Sequence, residues 1–150
     1  MDEVTLENVL QINRPTLGDC APVGLFRLIR LVAFEELLGE GAAGLAFQAG
    51  EKLGKSLGLS NIEELIKVCE DMKIGVIKVP EMGDHKIHVD VHECVTCSGM
   101  TPVGRPLCYL EGGLLSGAIK SILNKTVKVK EVTCIGGLGD QTCGFDIFLP

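Results

Sequence analysis

The last third of the chain gathers residues able to hold a metal: Cys108, then Glu131-Val132-Thr133-Cys134, then Cys143 after the turn Ile135-Gly136-Gly137-Leu138-Gly139-Asp140. Three thiols and one carboxylate make a complete tetrahedral set for Zn²⁺, and four protein ligands leave no open position for an activated water. The chemistry expected here is therefore architectural. A second place is Cys94-Val95-Thr96-Cys97, where Cys-x-x-Cys can be half of a metal site or a dithiol redox pair, and alone it is a weak signal. Loop residues Ser98, Gly99, Pro102 and Gly104 follow it, so a thioredoxin-like placement at a helix start is not expected.

The elements that must position these groups can be read from periodicity. In residues 126–131 charged and apolar side chains alternate, so Val127 and Val129 face a core and the next inward position is Glu131. An inward carboxylate is costly unless something neutralises it, and a bound cation would. Cys143, Phe145, Ile147 and Leu149 share one face of the closing strand. Glu131 and Cys134 are three apart, so the strand must end or twist near Thr133 for both to reach one site. The plainer alternative is a hairpin with two buried cysteines as small apolar residues and Glu131 at a solvated end. Pro106 opens a helix from Leu107 to about Asn124, with Cys108 in its first turn, where the helix dipole would lower the thiol pKa.

Upstream, residues 1–22 read as a lead-in, with Cys20 as a packing residue. The apolar run Leu25–Phe34 reads as a buried helix, its two arginines and short length arguing against a membrane span. A second helix runs from Ala42 to Leu57, where Gly50, Gly54 and Gly58 recur every fourth residue and mark close approach of another helix, a second subunit or a flat ligand. Ser60, with Glu63 three residues on, caps a third helix whose apolar face includes Cys69. Two strands, Ile74–Val79 and Lys86–His92, flank a loop from Pro80 to His85, with His88, Asp90 and His92 on the solvated side.

With 14 basic against 20 acidic residues and no basic cluster, nucleic-acid binding is not expected. Seven cysteines, without the basic and apolar runs of a secretory signal, read as thiols and metal ligands in the cytoplasm rather than as a disulfide framework.

Cys108-Tyr109-Leu110-Glu111-Gly112, Glu131-x-x-Cys134, the glycine turn ending in Asp140 and Cys143-x-Phe145 together resemble the 4-vinyl reductase domain family. That family includes archaeal predicted hydrocarbon-binding proteins and the phenol-sensing domains of some transcription activators, and is related to TRAPP-type trafficking subunits. The resemblance implies a zinc on Cys108, Glu131, Cys134 and Cys143, although the Cys134–Cys143 loop is one residue longer than in the sensors. It also implies an apolar cavity between helices and sheet.

The expected fold is α+β over residues 1–150 as one domain: N-terminal helices, then ββαββ, with a four-stranded, mostly antiparallel sheet covered by helices on one face. The expected function is a zinc-stabilised domain holding a small hydrophobic molecule as carrier or sensor. The alternatives are a reductase or thiol-redox enzyme using Cys94 and Cys97, and a homodimeric assembly subunit. No dinucleotide fingerprint or Ser/His/Asp set supports an enzyme.

Overall fold

The computed structural model describes residues 4–150; the acidic start of the expected lead-in, Met1–Glu3, lies outside the described residues. Its remainder carries one short helix, α1 (Leu6–Val9), and is exposed throughout, including Cys20, whose thiol meets only Asp19 rather than a packed interior. The main elements are α2 (Val23–Arg27), a π-helical segment (Leu28–Ala33), α3 (Phe34–Leu38), α4 (Ala42–Ser56), α5 (Ile62–Asp71), β1 (Val76–Met82), β2 (Lys86–His92), α6 (Tyr109–Leu123), β3 (Lys128–Thr133), α7 (Ile135–Leu138) and β4 (Cys143–Phe148).

The four strands form one antiparallel sheet in the order β1-β2-β4-β3. Ile87, Val89 and Val91 of β2 and Cys143, Phe145 and Ile147 of β4 point to the same buried face, where Leu114, Leu115, Ala118 and Ile119 of α6 meet them. The architecture is the expected α+β one. β1 runs through Pro80 instead of ending at Val79, because a bulge between Lys78 and Glu81 takes up the missing N–H on an edge strand. The cap of α5 is Asn61, one residue later than Ser60: Asn61 Oδ1 accepts from Glu64 N (2.9 Å) and Glu64 Oε2 accepts from Ser60 N (2.8 Å). The reciprocal pairing is a capping box shifted by one position.

α4 lies across α6 with almost no side chain between them. A Cβ at Gly50 or Gly54 would sit 2.1 or 2.2 Å from the carbonyl oxygens of Leu110 and Leu114, and one at Gly113 or Gly117 would sit 2.0 Å from those of Phe47 and Glu51. The glycine row is thus consumed by helix packing within the chain, and Gly58 stands outside it at φ +62° beyond the helix end. Lys120 Nζ and Glu51 Oε1, 2.9 Å apart, hold the register of the pair.

One expectation fails here. The Leu25–Phe34 run is helical but not buried: of α2 and the π segment only Arg30 is enclosed, while Leu25, Leu28, Ile29, Val32 and Phe34 are exposed. Hydrophobicity announced a need for cover, and within this chain the cover is incomplete.

On the outer face of the sheet, His88 lies between Asp146 (Nδ1–Oδ1, 2.7 Å) and Asp90 (Nε2–Oδ1, 3.2 Å). Partial burial opposes its charge, but the two carboxylates outweigh it and the imidazole pKa is raised. A raised folded-state pKa contributes stability that is complete below the unfolded histidine value and is lost as pH rises through the folded one. We expect the melting temperature of the native chain to decline across that interval, and that decline to vanish in His88→Gln. An equal slope in both proteins would rule the triad out as its source.

Candidate metal centre and adjoining cavity

Six potential ligands come from five separate places in the fold. Cys94 and Cys97 follow β2, Cys108 is the N-cap residue of α6, Glu131 lies in β3, Cys134 caps α7, and Cys143 opens β4. All five cysteines have no measurable exposure. Cys97 lies 3.4, 3.9 and 3.3 Å from the sulfurs of Cys108, Cys134 and Cys143, and Cys108 lies 3.5 Å from both Cys94 and Cys143 and 3.9 Å from Cys134. Thiolates around a common zinc at about 2.3 Å would be about 3.8 Å apart, so these separations suit tetrahedral metal binding.

Two ligand quartets satisfy mutual distances below 4.8 Å: Cys94, Cys97, Cys108 and Cys143, and Cys108, Glu131, Cys134 and Cys143. The second is the set read from the sequence; the first draws in the Cys-x-x-Cys pair, which the sequence left apart. Cys108 and Cys143 belong to both. The cluster is chemically able to bind a thiophilic divalent ion.

Local structure explains how the pieces meet. The register of β3 on β4 shifts between Glu131 and Thr133, which turns the strand end so that Cys134 and Glu131 reach the same place. In α7 a Cβ on Gly136 would lie 2.4 Å from Cys97 O, and one on Gly137 would lie 2.1 Å from Arg105 O and 2.7 Å from Cys134 Sγ, so only glycines let this turn close over the thiols. Asp140 Oδ2 accepts from Cys134 N at 2.8 Å and latches the turn. The Cys94–Cys97 loop is gripped from the helical side: Arg27 donates from Nε to Val95 O (2.8 Å) and from Nη2 to Ser98 O (2.9 Å), and Arg30 Nη2 donates to Leu107 O (3.2 Å).

The electrostatics match an enclosed polar cluster. Burial, followed by the Cys134 thiol, pushes the Glu131 carboxyl up to about 9, although Cys108 N donates to it at 3.1 Å. Cys108 sits at the start of α6 as expected, and there the Cys134 thiol, with those of Cys143, Cys94 and Cys97, crowds it and raises its pKa. Glu111 is also buried; burial raises its carboxyl, and it accepts hydrogen bonds from the Thr96 hydroxyl and, at 3.7 Å, from the Cys94 thiol. Cys69 stands apart in the core of α5, pushed up to about 12 by burial and by Glu111 and Glu70, which fits the packing role expected of it.

Arg27, Arg30 and Thr96 were not read as part of the site from the sequence, and Asp140 only as the end of the glycine turn. For the arginines a signal existed, since two cations three residues apart in an apolar run lie on one helix face.

A cavity of about 400 Å³ lies between the α2–π–α3 helix and α4, walled by Phe26, Ile29, Phe34, Leu38, Leu45 and Ala46, with Arg30 as its charged member. A smaller one, about 250 Å³, lies beside the cluster at Cys108, Glu131, Phe47 and Phe145. No helix among the described residues is long and apolar enough to cross a membrane.

Residues 87–148 match the V4R domain family. Over 133 residues the chain is 32% identical to the uncharacterized protein MJ1642 of Methanocaldococcus jannaschii, covering 89% of this chain and 81% of that one. Its fold is similar to that of a vinyl-4-reductase family protein from the same organism (TM-score 0.71, 24% identity, 89% and 85% of the two chains). It is also similar to the phenol-responsive sensory domain of the transcription activator PoxR, solved with phenol (TM-score 0.66, 14% identity, 86% and 75%).

Proposed function

The chain belongs to the V4R domain family, and on that premise we propose that it is a zinc-stabilised domain that holds one small apolar molecule, as a carrier or a sensor. What carries this reading is the 400 Å³ cavity: its walls are almost wholly aliphatic and aromatic, and it falls within the range of small-molecule sites. The PoxR domain, a neighbour in fold, was solved with phenol, a small aromatic.

Zinc is the ion of choice for a thiolate-rich tetrahedral set, and its proposed ligands remain Cys108, Glu131, Cys134 and Cys143. When bound it would neutralise the buried ligands and clasp α6 to the last two strands. Seven free thiols suit a reducing compartment, so the proposed setting is the cytoplasm. The thiol-redox alternative finds little support, since Cys94 and Cys97 are wholly enclosed and out of reach of a redox partner.

The test is native mass spectrometry of protein purified without added ligand, beside Ala46→Phe, which fills the cavity. A small apolar molecule retained by the native chain and absent from the variant is the expected result. Both chains at the mass of their own polypeptide and bound metal alone, with no further adduct, would remove the reading.

A second reading, the homodimer, is favoured by the apolar row Leu25, Leu28, Ile29 and Val32 left exposed along the α2–π helix. In this reading a second copy covers that row. Sedimentation at micromolar concentration should then report twice the chain mass, and Leu28→Lys should return it to one.

A further inference from the structure

The cluster offers more ligands than one ion can use. A divalent ion on Cys108, Glu131, Cys134 and Cys143 completes its tetrahedron and leaves over Cys94 and Cys97, both without measurable exposure. These two turn their sulfurs toward the others. Cys94 Sγ lies 3.5 Å from Cys108 Sγ, and Cys97 Sγ lies 3.4 Å from Cys108 Sγ and 3.3 Å from Cys143 Sγ. Neutral thiols are weak donors and acceptors and gain little from such crowding, whereas thiolates at these separations repel one another unless a cation lies between them. Cys94, Cys97, Cys108 and Cys143 have mutual ligand distances within 4.8 Å and so form a second tetrahedral set. The two sets share one edge, Cys108 to Cys143, 3.5 Å long. The turn that carries the extra pair is fixed from both sides. Thr96, fully buried between the two cysteines, donates to Glu111 of α6, and Arg27 holds the carbonyls of Val95 and Ser98.

We propose that the cluster is a two-ion centre: a second thiophilic divalent ion sits on Cys94, Cys97, Cys108 and Cys143, and the Cys108 and Cys143 thiolates bridge it to the ion on the Glu131 side. This rests on the zinc reading above and adds a site to it. The ligand count closes, because two tetrahedral ions that share two ligands need six, and six meet at this point. Zinc pairs held by six cysteines follow the same arithmetic; here a carboxylate takes the place of one terminal thiolate. Charge does not oppose the second ion. It enters as the two thiol protons of Cys94 and Cys97 leave, so the net charge enclosed is unchanged. The order of filling also follows from the geometry. Cys97 and Cys134 become terminal ligands of different ions, and their separation of 3.9 Å must widen when both ions are bound. That opening falls on the second ion, which is therefore the more weakly held.

The experiment loads the metal-free, reduced chain with increasing Zn²⁺ and counts the retained ions by native mass spectrometry. Two ions per chain are expected, the second filling only after the first. The double variant Cys94→Ser, Cys97→Ser keeps one complete quartet and is expected to retain one ion, with circular dichroism of the loaded protein checking that it is folded. Should the double change unfold the chain, Cys94→Ser alone takes one ligand from the second site and none from the first, and the same count is expected. Titration with Co²⁺ separates this site from ions held on surface carboxylates. Sulfur-to-cobalt absorption should keep rising through the second equivalent in the native chain and stop at the first in the variants. Saturation of the native chain at one ion would overturn the proposal and leave the zinc reading standing. A second ion that survives in the variants, or that adds no sulfur absorption, would overturn it equally. A folded native chain that takes up no ion would remove both.

Discussion

Exchanging Cys108 for serine should abolish binding of the proposed metal and, with the same exchange at Cys143, cost the chain more stability than a change at any other thiol. Cys108 belongs to both ligand quartets and touches four other sulfurs, so no rearrangement among the remaining groups restores four good ligands around the same point. Metal binding to such a site is part of the folding free energy, and the loss should exceed about 3 kcal/mol at neutral pH. Elemental analysis and thermal melting check it, with Cys20→Ser, an exposed thiol outside the cluster, as the neutral control. The same measurements choose between the quartets. Glu131→Gln should weaken zinc retention more than Cys97→Ser if the carboxylate is a ligand, and the reverse order would assign the ion to the four cysteines. A Cys108→Ser protein with unchanged metal content and melting point would show that the thiols are merely packed.

Gly113→Ala should be nearly as damaging, for a wholly different reason. The added Cβ would lie 2.0 Å from Phe47 O, a backbone atom that cannot rotate aside, so α4 and α6 must separate along their whole contact. Overpacking typically costs about 1–3 kcal/mol, and a clash with backbone rather than with a flexible side chain belongs at or above the upper end. Alanine's greater helix propensity returns up to about 1 kcal/mol and does not offset this. Gly44→Ala isolates that smaller effect, because Gly44 is in α4 with nothing within 4 Å of a Cβ; it should gain roughly 1 kcal/mol. Denaturant unfolding of the two variants should therefore move in opposite directions. A stable Gly113→Ala protein would mean that the helices are farther apart than described.

Much of the centre was legible because its ligands are close in sequence and its strands alternate. Val127, Val129 and Glu131 follow the period of two, and the required break near Thr133 is present as the register shift on β4. The Cys94–Cys97 pair was not legible as part of the same cluster. Its place depends on contacts 11 to 46 residues away in sequence, on two arginine bonds from a distant helix and on the absence of a side chain at Gly136. None of these leaves a local periodic trace. Gly50 and Gly54 announced close approach correctly, but sequence could not say what approaches; α6 answers with its own Gly113 and Gly117. The exposure of Leu28 and Val32 was invisible for the same reason, since an apolar residue specifies that it should be covered, not by what.

Arg27 and Arg30 are one helical turn apart, and through them a single stretch of chain holds the carbonyls of Val95, Ser98 and Leu107 while forming a wall of the cavity. Any occupant that steadies this turn also steadies the loops carrying Cys94, Cys97 and Cys108. By thermodynamic reciprocity, an ion that anchors those loops tightens the grip on the occupant by the same factor. On the proposed reading, a shortage of the metal would then loosen the hold on the proposed ligand.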